Sequence, residues 1–284
     1  MSLAPLYQSL QYATIIGNAD GQWHPSNEGA TITFNATAHN EAINICNGPY
    51  AGVSEAFRVE RSVNDAAFVD ILTTVAQSLV NQVDCWPSSG LTTAVMLAMI
   101  SKQVSLMRMS LLPSLARNEC MHVSETLPCM VHNWLGERRI AMGIALTHSH
   151  LYWPELYVKP HLSNANIEKV IIDPFTILLG PDSEFATFDL TPDSYLKTQA
   201  QFPVDYDKQL IILKKLALVD IQFWLVSATQ EKLLQCEKLF YNQTPEDNQS
   251  NWFLVDFKAS QYLDPIRHQL AYCQQVLALQ NIKG

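Results

Sequence analysis

Three residues of different chemistry stand in an order that enzymes use. Cys120 lies in the polar frame Asn118-Glu119-Cys120, His150 closes the pair His148-Ser149-His150, and Asp173 ends the apolar run Val170-Ile171-Ile172 ahead of Pro174. A thiol is a weak nucleophile until it loses its proton. A neighbouring imidazolium, or the unpaired N–H groups of a helix N-terminus, lowers its pKa. A carboxylate on the far ring nitrogen then holds the imidazole in the useful tautomer. The expected chemistry is covalent attack on an amide carbonyl, with Cys120 as nucleophile, His150 as proton relay and Asp173 as its orienter. His148, Asn118 and Trp153 are expected behind these three or on the substrate side.

Local patterns say which elements would position them. Asn118 suits an N-cap, and Met121, Val123, Leu127 and Val131 give an apolar face at helical spacing, with Pro128 kinking or splitting it. Gly136 reads as a helix stop. Beyond it Ile140, Met142, Ile144, Leu146, His148 and His150 share one parity and Ala141, Gly143, Ala145, Thr147 and Ser149 the other, which predicts a strand over 139–150. Residues 151–158 read as the next strand and 169–173 as a third.

A cysteine at a helix start followed by a histidine and an acid on adjacent strands resembles the papain-like and transglutaminase-like cysteine enzymes. The resemblance is confined to the stretch from Asn118 to Gly180. It implies an α+β fold in which a helical layer, residues 64–136, packs on an antiparallel sheet of residues 139–147, 151–158 and 169–173. It further implies a cysteine-dependent amide hydrolase or acyltransferase of the protein-glutamine deamidase, transglutaminase or peptidase type, as in secreted bacterial toxins and effectors. Such an enzyme takes a protein, peptide or other amide substrate and no cofactor or metal. The Arg-Gly-Gly-x-Cys of arylamine acetyltransferases is missing, since Ala116-Arg117-Asn118-Glu119 precedes Cys120.

Other constellations compete. Cys85, His132 and Asp173 form a rival triad, although His132 falls inside a helical pattern with Val131, Trp134 and Leu135. A zinc hydrolase would use His148, His150, Asp173 and either Cys120 or His161. Its metal motif, however, would need Asp and His where Tyr152 and Trp153 stand. Outside catalysis, the helical layer would present a groove as a protein-interaction module, or the chain would be an inactive relative of the same fold. Gly-x-Ser-x-Gly, the P-loop and Gly-x-Gly-x-x-Gly are all absent.

Composition narrows the classes. Hydrophobic residues at 48% against 16% charged predict a sizeable core. A net charge of -9 with scattered Lys and Arg argues against nucleic acid as a partner. The absence of a long apolar stretch or a secretory n-region argues against membrane insertion and Sec export. The expected location is the cytoplasm, or a host cytosol reached as an effector. Six cysteines without a Cys-x-x-Cys read as reduced thiols, and Cys46, Cys236 and Cys273 as packing residues.

Three regions are expected: a β-rich segment at 1–60, a papain-like catalytic core at 61–180 and a mixed α/β extension at 181–284 packed on the core. Thr31–Phe34 and Ala42–Cys46 alternate as a hairpin or meander would. Residues 64–117 read as helical, with a Met-rich core. The apolar stretch 210–226 fits helix or strand, Ala228–Tyr241 a helix, Trp252–Phe257 a strand, and Ser260–Leu279 an amphipathic helix. On the enzyme reading, Cys120→Ala abolishes ammonia release or crosslinking from glutamine-containing proteins, and unchanged release removes Cys120 as nucleophile.

Overall fold

The computed structural model describes residues 3–25, 28–37, 39–47, 56–122, 125, 127–160, 173–179, 206–242 and 252–283. The chain divides into two compact units, Met1–Leu111 with Glu137–Tyr157, and Leu112–Gly136 with Val158–Gly284.

The first unit is α/β. Its elements are α1 (Ala4–Ser9), β1 (Tyr12–Ile16), β2 (Ala30–Phe34), β3 (Ile43–Cys46), β4 (Arg58–Glu60), α2 (Asp65–Val83), α3 (Ser89–Ile100) and β5 (Gln103–Met107). They are completed by most of α4 (Trp134–Thr147) and by β6 (Leu151–Tyr152). The strands form one sheet in the order β4-β3-β2-β1-β5-β6. Every neighbouring pair is parallel except β3 with β4. In register, Ile15 sits beside Ile32 on one side and Leu106 on the other, and Ile32 beside Ile43. The face carrying them, with Ala13, Phe34, Ile45, Val59 and Val104, is buried. The opposite face is more polar, with Thr14, Thr31, Thr33, Asn44 and Ser105.

Capping sets the helices. The Asn64 side chain accepts from the Ala67 N–H at 3.2 Å, and Phe68, Leu72, Val75, Ala76, Leu79 and Val83 then bury one stripe of α2. Ser88 caps α3 through the Leu91 N–H at 3.2 Å. α3 packs on β1 and β5, and α2 on β4.

Several sequence expectations are corrected. The sheet is mostly parallel, not antiparallel. Residues 139–147 are helical: Leu135, Arg138 and Ala141 with Met142 are buried one turn apart, and the run is rich in Ala, Leu, Met, Glu and Arg. Gly136 lies inside α4, not after a helix. Its N–H donates to the Asn133 side chain at 2.9 Å, and a Cβ there would come 2.7 Å from Asn133 Nδ2. Of 151–158 only Leu151–Tyr152 is strand, before a 3-10 turn at Pro154–Leu156. The strand expected at 169–173 falls mostly on residues 161–172, outside the described residues. The helical reading of 64–117 ends at Ile100, because Val104 and Leu106 alternate into the core as β5. β2 and β3 lie where expected but pair in parallel, so residues 1–60 share their sheet with β5 and β6.

The second unit is helical among its described residues: α5 (Pro174–Leu179), α6 (Tyr206–Leu218), α7 (Ile221–Ser227), α8 (Gln230–Glu237), α9 (Trp252–Val255), α10 (Phe257–Ser260) and α11 (Leu263–Lys283). Leu263, Ile266, Leu270, Ala271 and Cys273 of α11 join one core with Phe175, Leu213, Leu216, Trp224 and Phe253. The expected strand at Trp252–Phe257 is instead two short helices. Asp256 separates them and accepts the Ala259 N–H at 2.7 Å.

At the end of β1 Gly17 leaves no room for a side chain, because a Cβ there would be driven into the Arg108 carbonyl, a backbone group that cannot swing aside. Gly17→Ala is expected to cost about 1–3 kcal/mol, read as a lower urea midpoint at unchanged slope.

Candidate functional site

In the first unit the strand order reverses at β1, from which the chain proceeds to β2 on one side and later to β5 on the other. In open parallel sheets the crevice at the carboxyl ends of such strands is where ligands bind. Here that edge is tightly built. Gly17 N–H donates to Met107 at 2.9 Å and Ala19 N–H to Arg108 at 3.4 Å. The Arg108 Nε–H donates to the Ala19 carbonyl. Asn18 accepts from the Thr37 hydroxyl at 2.6 Å, and Asn35 and Asn47 exchange two hydrogen bonds of 2.9 and 3.0 Å.

Left-handed backbone recurs at the same edge, and is found also at Arg61 (φ 67) after the antiparallel β4. Asn35 (φ 47), Arg108 (φ 56) and Leu111 (φ 53) follow β2 and β5, and Asp84 (φ 57) ends α2. That conformation costs an L-residue about 1–2 kcal/mol, and such residues cluster where ligands are held.

α3 leads into β5, so it begins at the carboxyl edge, where Gly90 stands against Met109; a Cβ on Gly90 would lie 2.7 Å from the Met109 sulfur. Buried Glu137 of α4 fixes this helix start, its carboxylate accepting the Ser88 N–H at 2.7 Å and the Ser88 hydroxyl at 2.5 Å. The next two backbone N–H groups, of Ser89 and Gly90, have no acceptor among the described residues. The Ser89 hydroxyl is buried and likewise without a partner, and Ser89 is only 4% exposed. Three donors without a partner among the described residues thus lie within two residues of one helix N-terminus, a place suited to an anion. Next to Glu137, Arg138 donates to the carbonyls of Ser110 and, at 2.6 Å, Leu156. Trp153 Nε1–H donates to Met109 at 2.6 Å. These bonds fasten the loops after β5 and β6.

The residues expected from sequence are placed as follows. Cys120 and Asp173 belong to the second unit, His148 and His150 to the first. Cys120 sits in an exposed turn, not at a helix start. Its N–H donates to Asn118 at 3.1 Å, and its thiol has no hydrogen-bond partner among the described residues. Being the one exposed cysteine of the six, it is first in line for alkylation by exposure alone. The turn is held by Arg117, which donates to the carbonyls of His122 and Glu125, both at 2.7 Å. His150 Nε2 lies 3.1 Å from the Ala98 carbonyl, and its ring meets His148 edge-on at 5.5 Å. His148 Nδ1 contacts the Ile144 carbonyl at 3.1 Å and the Thr147 hydroxyl at 2.9 Å.

Asp173 opens α5, accepting from Phe175 N–H, the Thr176 hydroxyl and the Lys232 ammonium at 3.0, 3.0 and 2.9 Å. Trp153 is buried. Of the rival triad, Cys85 is buried in the first unit, and His132 of the second meets Trp134 edge-on at 5.1 Å. Among the described residues, no three His, Cys, Asp or Glu side chains form a group that could hold a metal; His161 lies outside them. No helix there is long and apolar enough to cross a membrane.

Sequence reasoning passed over the carboxyl-edge residues. The signals for them were a short strand, Tyr12–Ile16, running into Gly17-Asn18-Ala19-Asp20-Gly21, and Pro87-Ser88-Ser89-Gly90 ahead of an apolar helix.

No protein-family model, no curated protein and no solved structure matches this chain.

Burial shifts three thiols of the second unit away from reactivity: Cys129 and Cys236 are raised, and Cys273 is pushed up to about 12. Burial also pushes the Asp173 carboxyl up, but bonds from Lys232, Thr176 and the Phe175 N–H outweigh it and hold the group below its ordinary value. A depressed carboxyl stabilises the fold above its unfolded pKa, and that contribution is lost as pH falls through the folded value. Asp173→Ala is therefore expected to cost about 1 kcal/mol at pH 7. The gap to wild type should narrow below about pH 4 in urea titrations run across pH.

Proposed function

We propose that the first unit binds a small anionic molecule, of the phosphorylated-metabolite or carboxylate kind, at the carboxyl edge of its sheet, and that this edge is the working site of the protein. The observation that carries the reading is the set of three partnerless donors, the N–H groups of Ser89 and Gly90 and the Ser89 hydroxyl, at the N-terminus of α3. An unmet buried donor such as the Ser89 hydroxyl costs about 1–3 kcal/mol, and an anion accepting from it removes that cost. The glycine-bearing loop after β1 and the left-handed backbone at Arg108 and Leu111 after β5 frame the same edge, and their hydrogen bonds hold them in shape before any ligand arrives. Preorganisation of this kind reduces the entropy lost on binding.

A cysteine mechanism draws no comparable support. His150 is engaged with Ala98, and the Asp173 carboxylate with Lys232, Thr176 and Phe175.

The test is a thermal-shift and calorimetric panel of nucleotides, sugar phosphates and phosphodiesters on the full chain. A ligand at about 100 times its Kd adds about 2.7 kcal/mol and raises Tm by a few degrees. Ser89→Ala, which removes the hydroxyl donor with little change of volume, is expected to shrink the shift at least severalfold while its far-ultraviolet circular dichroism stays that of wild type. A full shift that survives in a folded Ser89→Ala would refute the assignment.

A further inference from the structure

We infer that His148 and His150 form a site for one divalent transition cation at the amino edge of the first unit's sheet, away from the carboxyl edge and without a catalytic role. Both lie in the short connection from α4 to β6, and main-chain bonds hold them there. The His148 N–H donates to the Ile144 carbonyl at 2.9 Å, the His148 carbonyl accepts the Leu151 N–H at 3.0 Å, and the His150 carbonyl accepts the Val104 N–H at 3.0 Å. Side-chain bonds then fix which nitrogen of each ring carries the proton. His150 Nε2 faces the Ala98 carbonyl, which can only accept, so Nε2 is the donor and Nδ1 keeps the lone pair. His148 Nδ1 faces the Ile144 carbonyl and the oxygen of the Thr147 hydroxyl, whose own hydrogen goes to Gly143 at 2.9 Å. Nδ1 is therefore the donor in this ring and Nε2 keeps the lone pair. Neither lone-pair nitrogen has a hydrogen-bond partner among the described residues.

A ring N–H bonded to a backbone carbonyl is the support that a metal-bound histidine ordinarily has, because it orients the ring and makes the other nitrogen more basic. Both rings have it. With metal–nitrogen distances of about 2.0–2.1 Å, two imidazoles on one ion at bond angles of about 90–120° set their centroids about 4.5–5.5 Å apart. The centroids of His148 and His150 are 5.5 Å apart, with the rings nearly perpendicular. Both residues are half-buried, so an ion reaches them from solvent. Ligand chemistry narrows the ion: imidazole suits Zn²⁺, Ni²⁺ and Cu²⁺, whereas Mg²⁺ and Ca²⁺ take oxygen donors. Among the described residues no carboxylate or thiol joins the pair to make a group of three, so water completes the coordination. The two rings are tied to Ile144 of α4 and Ala98 of α3, and an ion between them clips these helix ends together.

The experiment uses the full chain with Ni²⁺ as the probe, added substoichiometrically in NMR and titrated by calorimetry for Kd. Of the eight histidines, His148 and His150 are expected to lose their ring-proton signals first and together, through paramagnetic broadening. His148→Gln and His150→Gln are each expected to weaken Ni²⁺ by about tenfold or more. Saturating Zn²⁺ is expected to raise the Tm of wild type by a few degrees and to leave that of either variant unmoved. Absence of broadening, broadening that begins at another histidine, or broadening of only one of the pair overturns the inference, whether or not the variants fold. Ni²⁺ affinity within about threefold of wild type in a folded His150→Gln overturns it as well. Displacement of Ni²⁺ by millimolar Mg²⁺ would mark an oxygen-donor site and has the same consequence. A Zn²⁺-induced rise in Tm that is equal in wild type and both variants overturns the clip between α3 and α4.

Discussion

A parallel sheet cannot be made from hairpins, and most of the first unit follows from that constraint. β1 pairs in parallel with β2 and β5, so the chain must return to the amino edge before each of those two strands begins. The segments that leave the parallel strands therefore start at one edge, and α3, which must run back before β5, starts there too. Backbone groups leaving the ladder at that edge need partners. They find them in the zipper of Gly17, Ala19, Met107 and Arg108 and in the Asn35–Asn47 exchange. Close approach is bought with glycine at Gly17 and with left-handed backbone at Asn35, Arg108 and Leu111. The same crowding leaves the first N–H groups of α3 pointing where no protein acceptor stands.

Two adjacent buried charges hold this arrangement. Glu137 bonds to the start of α3, and Arg138 to the carbonyls of Ser110 and Leu156. Burying charged groups is costly unless each is multiply hydrogen-bonded, and both of these are. Apolar residues of equal volume would fill the space, but they would leave the Ser88 N–H and two carbonyls without partners. That loss explains why one turn of α4 carries opposite charges in an interior position. It also couples the helix start that would face a ligand to the loops that frame it.

The sequence revealed the elements whose pattern has one reading. α2, with the Asn64 cap and a stripe of Phe68, Leu72, Val75 and Leu79, and α11, with Leu263, Ile266 and Leu270, were legible because helical periodicity had no competitor there. Residues 139–150 were misread because alternating bulky and small residues satisfy both a strand and a helix; burial at Leu135, Arg138 and Ala141 decides for the helix. Parallel pairing was not legible in 30–46, since alternation within a strand carries no information about its neighbour's direction. The candidate site was hidden for a related reason. Its donors are backbone N–H groups, which every residue possesses, and only the three-dimensional course of the chain distinguishes those of Ser89 and Gly90. Attention to reactive side chains led instead to Cys120, His150 and Asp173.

The misreading around Cys120 has its own physical cause in the second unit. Residues 112–136 look helical by apolar spacing, yet before the first turn of α4 their only helical segment among the described residues is the 3-10 turn Pro128–Val131. Their path is set by α11. Asp264 accepts the Leu115 N–H at 2.8 Å and the Ser114 hydroxyl, Arg267 donates to the Pro113 carbonyl at 2.8 Å, and Gln274 donates to the Leu135 carbonyl at 3.0 Å. Burial lowers the pKa of Arg267 and Asp264 pulls it back, but a guanidinium starts so high that it stays charged. Inside the segment, Arg117 takes the carbonyls of His122 and Glu125, groups that a continuous helix would have bonded to its own N–H groups. Side chains distant in sequence thus satisfy this backbone in an irregular path, and Cys120 is left in an exposed turn, not at a helix start.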